Sequence, residues 1–191
     1  MNLGRAVNKF STVHVDGWDG TGWVKNVAAG ALEVYSRFIT ERTFGAVKRI
    51  YLCHEPIPDV YTVLRMVDGR RYLLSFLNPD IIGDTVYGYV YLLQMVTHDA
   101  AIAGQQITAS ASGVGGIQVE VLSDPIPCYL ERFSGTTSTE ADDLVYSRTR
   151  ILLPRGTTVK DSDEVKVDQT YYSIKEIDEE LDLVRLYTVR G

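Results

Sequence analysis

The chain has 191 residues, enough for one ordinary domain or two small ones, and its 45% hydrophobic and 23% charged residues match an average globular protein, which excludes disorder and a fibrous repeat. A net charge of −6 argues against a broad duplex-binding surface, which needs a basic patch to displace counterions from phosphates. Apolar runs such as Tyr87 to Met95 are about half of the roughly 20 residues that a membrane-spanning helix needs. The first ten residues lack a secretory apolar run, so a cytosolic chain with Cys53 and Cys128 as free buried thiols is expected.

In chain order, Asp16-Gly17-Trp18-Asp19-Gly20-Thr21-Gly22-Trp23 reads as a turn-rich loop carrying two tryptophans. Next comes the one helix expected, over Val27 to Thr40. Val27, Leu32, Val34, Tyr35, Phe38 and Ile39 recur there at three- and four-residue spacing, and Asn26 stands where a cap belongs. From Ala46 the pattern turns to strands, at Val47–Cys53, Val60–Val67, Arg71–Phe76 and Val86–Val96. Asp68-Gly69 signals a two-residue hairpin with positive φ at both positions. Tyr87, Tyr89 and Tyr91 share one strand face, which fits a barrel wall better than a binding platform. From Asp99 to Gly116 the side chains are too small to bury much, so a long loop or a weak strand pair is expected, with a domain boundary near its end (1–116 and 117–191).

Strands resume at Ile117–Leu122, Cys128–Ser134, Leu144–Leu153, Glu164–Val167, Tyr171–Ile177 and Leu181–Val189, the spacing of a small barrel or sandwich. The fold class expected is therefore mainly β, with small barrel or sandwich domains, one N-terminal helix and long exposed loops. Two internal echoes stand out. Glu55-Pro56-Ile57-Pro58 resembles Asp124-Pro125-Ile126-Pro127, and Val67–Leu74 resembles Val167–Ile174, each of the latter pair followed by a Tyr/Leu/Val strand.

The C-terminal order is a polar hairpin arm at Gly135–Asp143, then Ile151-Leu152-Leu153-Pro154, Asp161–Val167, Tyr171–Ile177 and Leu183-Val184-Arg185-Leu186-Tyr187. This order, covering Tyr129 to Gly191, resembles the small β-barrel head-closure and head–tail joining proteins of tailed bacteriophages. The resemblance implies a non-enzymatic structural subunit of the virion neck, made in the host cytoplasm. It would stand as copies in a ring between the portal and tail proteins, with DNA passing through without sequence-specific binding. The arm would reach a neighbour or the lumen, which makes Thr136, Thr137, Thr139, Glu140, Asp142 and Asp143 candidate partner-binding residues. Strand edges and polar extensions left over from a closed core point to the same cyclic oligomer. Other readings are a tail-completion or capsid component, and a glycan-binding module that uses Trp18 and Trp23.

Catalytic and cofactor chemistry finds little support. Cys53-His54, His98 and Cys128 lack the close pairing of structural zinc sites, so no metal is expected. Ser110 and Ser112 stand in no nucleophile elbow, and Gly113–Gly116 lacks the lysine and helix of a phosphate loop. Asp161, Asp163 and Glu164 read as a solvated turn.

Overall fold

A computed structural model describes residues 12–34, 48–82, 85–109, 116–139, 142–180 and 183–190. Two compact units divide the chain. One holds residues up to Val96 together with Glu180–Leu183, and the other holds Thr97–Glu179 and Val184–Gly191. The boundary expected near Gly116 falls inside a hairpin whose two strands pair within the second unit.

The first unit is a closed six-stranded antiparallel barrel. Its strands are β1 (Val13–Trp18), β2 (Trp23–Val34), β3 (Lys48–Cys53), β4 (Val63–Met66), β5 (Arg71–Ile82) and β6 (Thr85–Met95), and around the ring they run β1-β2-β3-β6-β5-β4. Pairing of β4 back onto β1, with Val15 opposite Met66, closes it. Inside lie Val15, Tyr51, Cys53, Leu64, Met66, Tyr72, Leu74, Tyr91 and Leu93. Tyr51 donates its hydroxyl hydrogen to the carbonyl of Val13 at 2.9 Å, and Tyr91 Oη accepts the N–H of Ile57 at 2.8 Å. Burial holds both phenols un-ionised by raising their pKa values.

The second unit contains β7 (His98–Ala109), β8 (Gly116–Leu122), β9 (Ile126–Thr139), β10 (Asp142–Leu153), β11 (Glu164–Val167), β12 (Thr170–Glu180) and β13 (Leu183–Arg190). The ring runs β7-β9-β10-β13-β12-β11 and closes through β11 on β7. With β8 set aside, these six strands follow the same ring order as the first barrel.

The likeness extends to single positions. Placing Tyr172 on Tyr72, as the sequence echo does, and following the strand registers round the ring puts Val165 on Leu64, Val167 on Met66 and Ala100 on Val15. It then puts Ile126 on Ala28, Leu130 on Leu32, Ile151 on Tyr51 and Leu186 on Tyr91. Each of these lies in, or packs against, the core of its own barrel. The echo at Val67–Leu74 and Val167–Ile174 thus marks equivalent β-hairpins in the two barrels: Tyr72–Leu74 coincide with Tyr172–Ile174, while Val167 stands on Met66 and the first barrel's turn is one residue longer. The Pro-Ile-Pro echo is not, because Glu55–Pro58 lies between β3 and β4 whereas Ile126 and Pro127 belong to β9. The counterpart of Ile57, which packs into the first core from the β3–β4 loop, is Val159 in the β10–β11 loop.

Two local expectations are corrected. Residues Val27–Val34 form strand, not helix; Tyr35–Thr40 lie outside the described residues. Gly30 pairs with Val13 on one side and Cys53 on the other, so strand pairing on both edges takes the backbone groups that a helix would have paired internally. Asn26 does not cap a helix. It takes a left-handed φ of 53° in a bulge opposite Asp16, whose Oδ1 accepts the Asn26 N–H at 3.1 Å.

At Asp68-Gly69 only Gly69 has positive φ, at 83°. Gly69 N–H donates to Met66 O and Met66 N–H to Arg70 O, both at 2.9 Å, which makes a three-residue loop with glycine at the left-handed position.

Candidate assembly surface

Among the described residues the closed barrels leave no free strand edge of their own, so attention falls on the strands that outrun them. β7 has three partners and only two edges. Ala103 pairs with both Leu122 of β8 and Glu164 of β11, and Ala100 pairs with both Ile126 of β9 and Val167 of β11. β8 and β9 therefore lie along the same edge of β7, as two stretches of one run broken by a bulge at Ser123–Pro125. Ser123 clasps the break, its N–H donating to Ile102 O and its Oγ accepting from Ile102 N, both at 2.9 Å. The bulge stands where the first barrel has its own at Asn26.

This run carries a two-stranded ribbon beyond each end of the second barrel. At one end, β7 and β8 pair from Ala103 opposite Leu122 out to Ala109 opposite Gly116. Among the described residues, β11 pairs with β7 only as far as Ala103, so both edges of this ribbon are open past that point. The segment expected as a loop or weak strand pair is the strand pair.

At the other end, β9 and β10 pair from Tyr129 opposite Leu152 to Thr139 opposite Asp142 without a register shift. β13 accompanies β10 only from Thr149 to Leu153, and β7 accompanies β9 only from Ile126 to Cys128. The distal ribbon thus stands outside the closed wall among the described residues. Thr136, Thr137 and Thr139 register opposite Val145, Leu144 and Asp142, and Asp143 stands opposite Ser138. Glu140 lies outside the described residues.

Trp18 and Trp23 belong to the first unit and face each other across the last rung of the β1–β2 hairpin. Asp19 shapes the turn: its Oδ1 accepts from Thr21 N at 2.8 Å, Thr21 Oγ1 at 2.8 Å and Gly22 N at 2.9 Å, bonds that hold its carboxyl below the usual range. Both indoles are half-buried. The Arg65 guanidinium lies 4.4 Å from the Trp23 ring centroid and 2.8 Å from Asp16 Oδ2. Its hydrogen bond, followed by that of the Asn26 N–H, lowers the Asp16 pKa. One face of Trp23 is therefore already stacked.

The remaining sequence candidates do not converge. Cys53 is buried, its thiol pushed up to about 12 by desolvation, while the neighbouring His54 is exposed. His98 stands opposite Cys128 in the β7–β9 register, its Nδ1 2.8 Å from Thr97 Oγ1 and its Nε2 3.8 Å from Asp168. Among the described residues no group of three or more His, Cys, Asp or Glu is placed to hold a metal ion. Asp163 instead shapes a turn, accepting the Lys160 N–H at 2.8 Å, and Glu164 accepts from Ser173 Oγ at 3.1 Å. No helix among them is long and apolar enough to cross a membrane.

Sequence reading found the arm through its polar composition and left the β7–β8 ribbon open between a loop and a weak strand pair, because its small residues carry little strand signal. Comparison with known proteins adds a likeness to a solved structure. The chain is similar to the phage-like element PBSX protein xkdH from Bacillus subtilis, at 18% identity over 49% of this chain and 93% of that one, with a TM-score of 0.33. A likeness so slight carries no function across. No family model matches the chain, and neither does any curated protein.

Proposed function

We propose that this chain is a structural subunit of a tailed-bacteriophage neck, standing in a ring that joins the portal to the tail, with DNA passing through the centre. The observation that carries this reading is the β9–β10 ribbon. It continues the barrel wall outward as a regular two-stranded arm, in the stretch where the sequence resemblance places the reaching element. An arm of this form has two open edges of backbone donors and acceptors, which a neighbouring chain can satisfy by pairing. The acidic balance of the chain suits a channel past which phosphates must slide.

The test replaces Thr136–Val145 with Asn-Gly, joining the paired Gly135 and Tyr146 through a tight turn. The shortened chain should keep its thermal transition and lose the co-sedimentation with a portal protein expected of the full chain. Undiminished portal binding by the shortened chain would refute the arm as the joint.

A further inference from the structure

The molecule treats its ribbons differently. The β5–β6 ribbon, which outruns the first barrel, is protected along its edges: Pro79 withholds a backbone donor, and register shifts between Phe76 and Asn78 and between Asp80 and Ile81 kink it twice. The β7–β8 ribbon carries none of these devices. Beyond Ala103 its pairing runs without a shift to Ala109, and neither Gly104–Ala109 nor Gly116–Leu122 contains proline, lysine or arginine. Near its base, Val121 and Leu122 are 46% and 45% exposed on the β8 side. A straight, unprotected edge offers a row of unpaired backbone donors and acceptors that a partner strand can satisfy.

We infer that the β7–β8 ribbon is the surface through which copies of this chain join, the open edge of β8 in one copy pairing antiparallel with the open edge of β7 in the next. Three observations select a second copy as the occupant. The two open edges run along the same stretch of one ribbon, so copies placed side by side match them in length. Glu120 is the one charged residue in this stretch, and pairing onto Gly104–Ala109 sets it opposite an uncharged residue in every register. Head-to-tail joining also uses both edges of every copy. Pairing of β8 with β8 leaves each β7 edge open, and centred on Glu120 it opposes two carboxylates.

Ribbons related by rotation about one axis parallel to the strands present β8 to β7 with opposite strand directions, the sense of the strand pairings among the described residues. Repetition of that contact closes a ring or continues as a filament. This deepens the neck-ring reading and rests on it, since it names the contact between ring subunits.

Sedimentation velocity of the full chain across a concentration series tests the inference, with three variants alongside. Val121→Lys places a charge on the β8 edge, Ile81→Lys places one on the protected ribbon, and the arm-shortened chain leaves β7 and β8 intact. The wild type should self-associate beyond a dimer. Val121→Lys should weaken association at least tenfold with an unchanged melting curve, whereas Ile81→Lys and the arm-shortened chain should associate as the wild type does.

Association of Val121→Lys equal to wild type, or a wild type that stops at a dimer, overturns the inference. A wild type that stays monomeric yet binds a partner through this ribbon also overturns it. Loss of self-association in the arm-shortened chain alone moves the subunit joint to the arm, so the inference falls while the neck reading stands. If portal binding survives arm shortening while Val121→Lys blocks association, the portal joint falls and the ribbon contact stands.

Discussion

The two barrels share a ring order, a bulge position and a set of core sites, yet differ in what leaves the wall. In the first, β1 and β2 meet in a tight turn at Asp19–Gly22; in the second, the equivalent hairpin extends through β7 and β8 to Ala109 and Gly116. The difference teaches where function resides in this architecture. A closed barrel satisfies its own backbone and buries its own apolar face, so neither Tyr72 nor Tyr172 has anything to offer a partner. Lengthening a hairpin past the closed wall costs the core nothing and creates edges, and the second barrel has done this at both ends of one strand run.

Equivalent sites with unlike neighbours give ways to break this comparison. The largest effect is expected from truncating the shared tyrosine: Tyr72→Ala and Tyr172→Ala should each destabilise their own barrel by about 3–5 kcal/mol, the range for losing a large buried aromatic. Calorimetry reads this, and an equal loss in both barrels from either variant would deny them separate cores.

Gly30 and Cys128 occupy one site. A Cβ on Gly30 would collide with the Leu52 carbonyl oxygen and come within 2.9 Å of Tyr51 Cζ, so Gly30→Ala should cost about 1–3 kcal/mol in chemical denaturation. Cys128→Ala, at a site that already holds a side chain, should cost less.

Removing only the hydroxyls separates the barrels in sign. The Tyr72 hydroxyl is buried without a hydrogen-bond partner among the described residues, so Tyr72→Phe should leave stability unchanged or raise it by up to about 1 kcal/mol. The Tyr172 hydroxyl accepts from Arg132 Nη2 at 3.5 Å, so Tyr172→Phe should lower stability by about 0.5 kcal/mol.

The smallest effect belongs to Asp16, which pairs with Arg65; the equivalent position in the second barrel is Ala101, which has no carboxylate to pair. Because folding lowers the Asp16 pKa, its contribution is present above the unfolded value of 3.8 and fades as pH falls through the lower folded value. With both side chains partly exposed, Asp16→Asn should cost less than about 1 kcal/mol at pH 7 and flatten the acid limb of the stability curve.

How much of this was legible depended on side-chain size. Strands with alternating bulky residues were readable, and β11 matches its expected span at Glu164–Val167. β1, β2 and β7 were not, because small residues fill them: Gly17, Ala28, Gly30 and Ala31 in the first barrel, and Ala100, Ala101 and Ala103 in the second. At Gly17 the reason is steric, since a Cβ would lie 2.6 Å from the Tyr61 ring. Such sequences lack the β-branched signal that marks strands and, at Val27–Val34, mimic helical spacing. The arm was legible as an element because nothing in Gly135–Asp143 could be buried. Its pairing as a ribbon was not, since register is set by the strands at its base.

Hydrogen exchange on the dilute, monomeric chain tests most directly the claim that the barrels are closed and only the ribbons have open edges. Amides at Tyr51, Tyr91, Ile151 and Leu186 should exchange at the slowest rates, while alternate amides across Gly104–Ala109, Gly116–Leu122, Ser134–Thr139 and Asp142–Ser147 exchange orders of magnitude faster. Uniform slow exchange along those ribbons in the isolated monomer would show their edges already covered and would contradict the account.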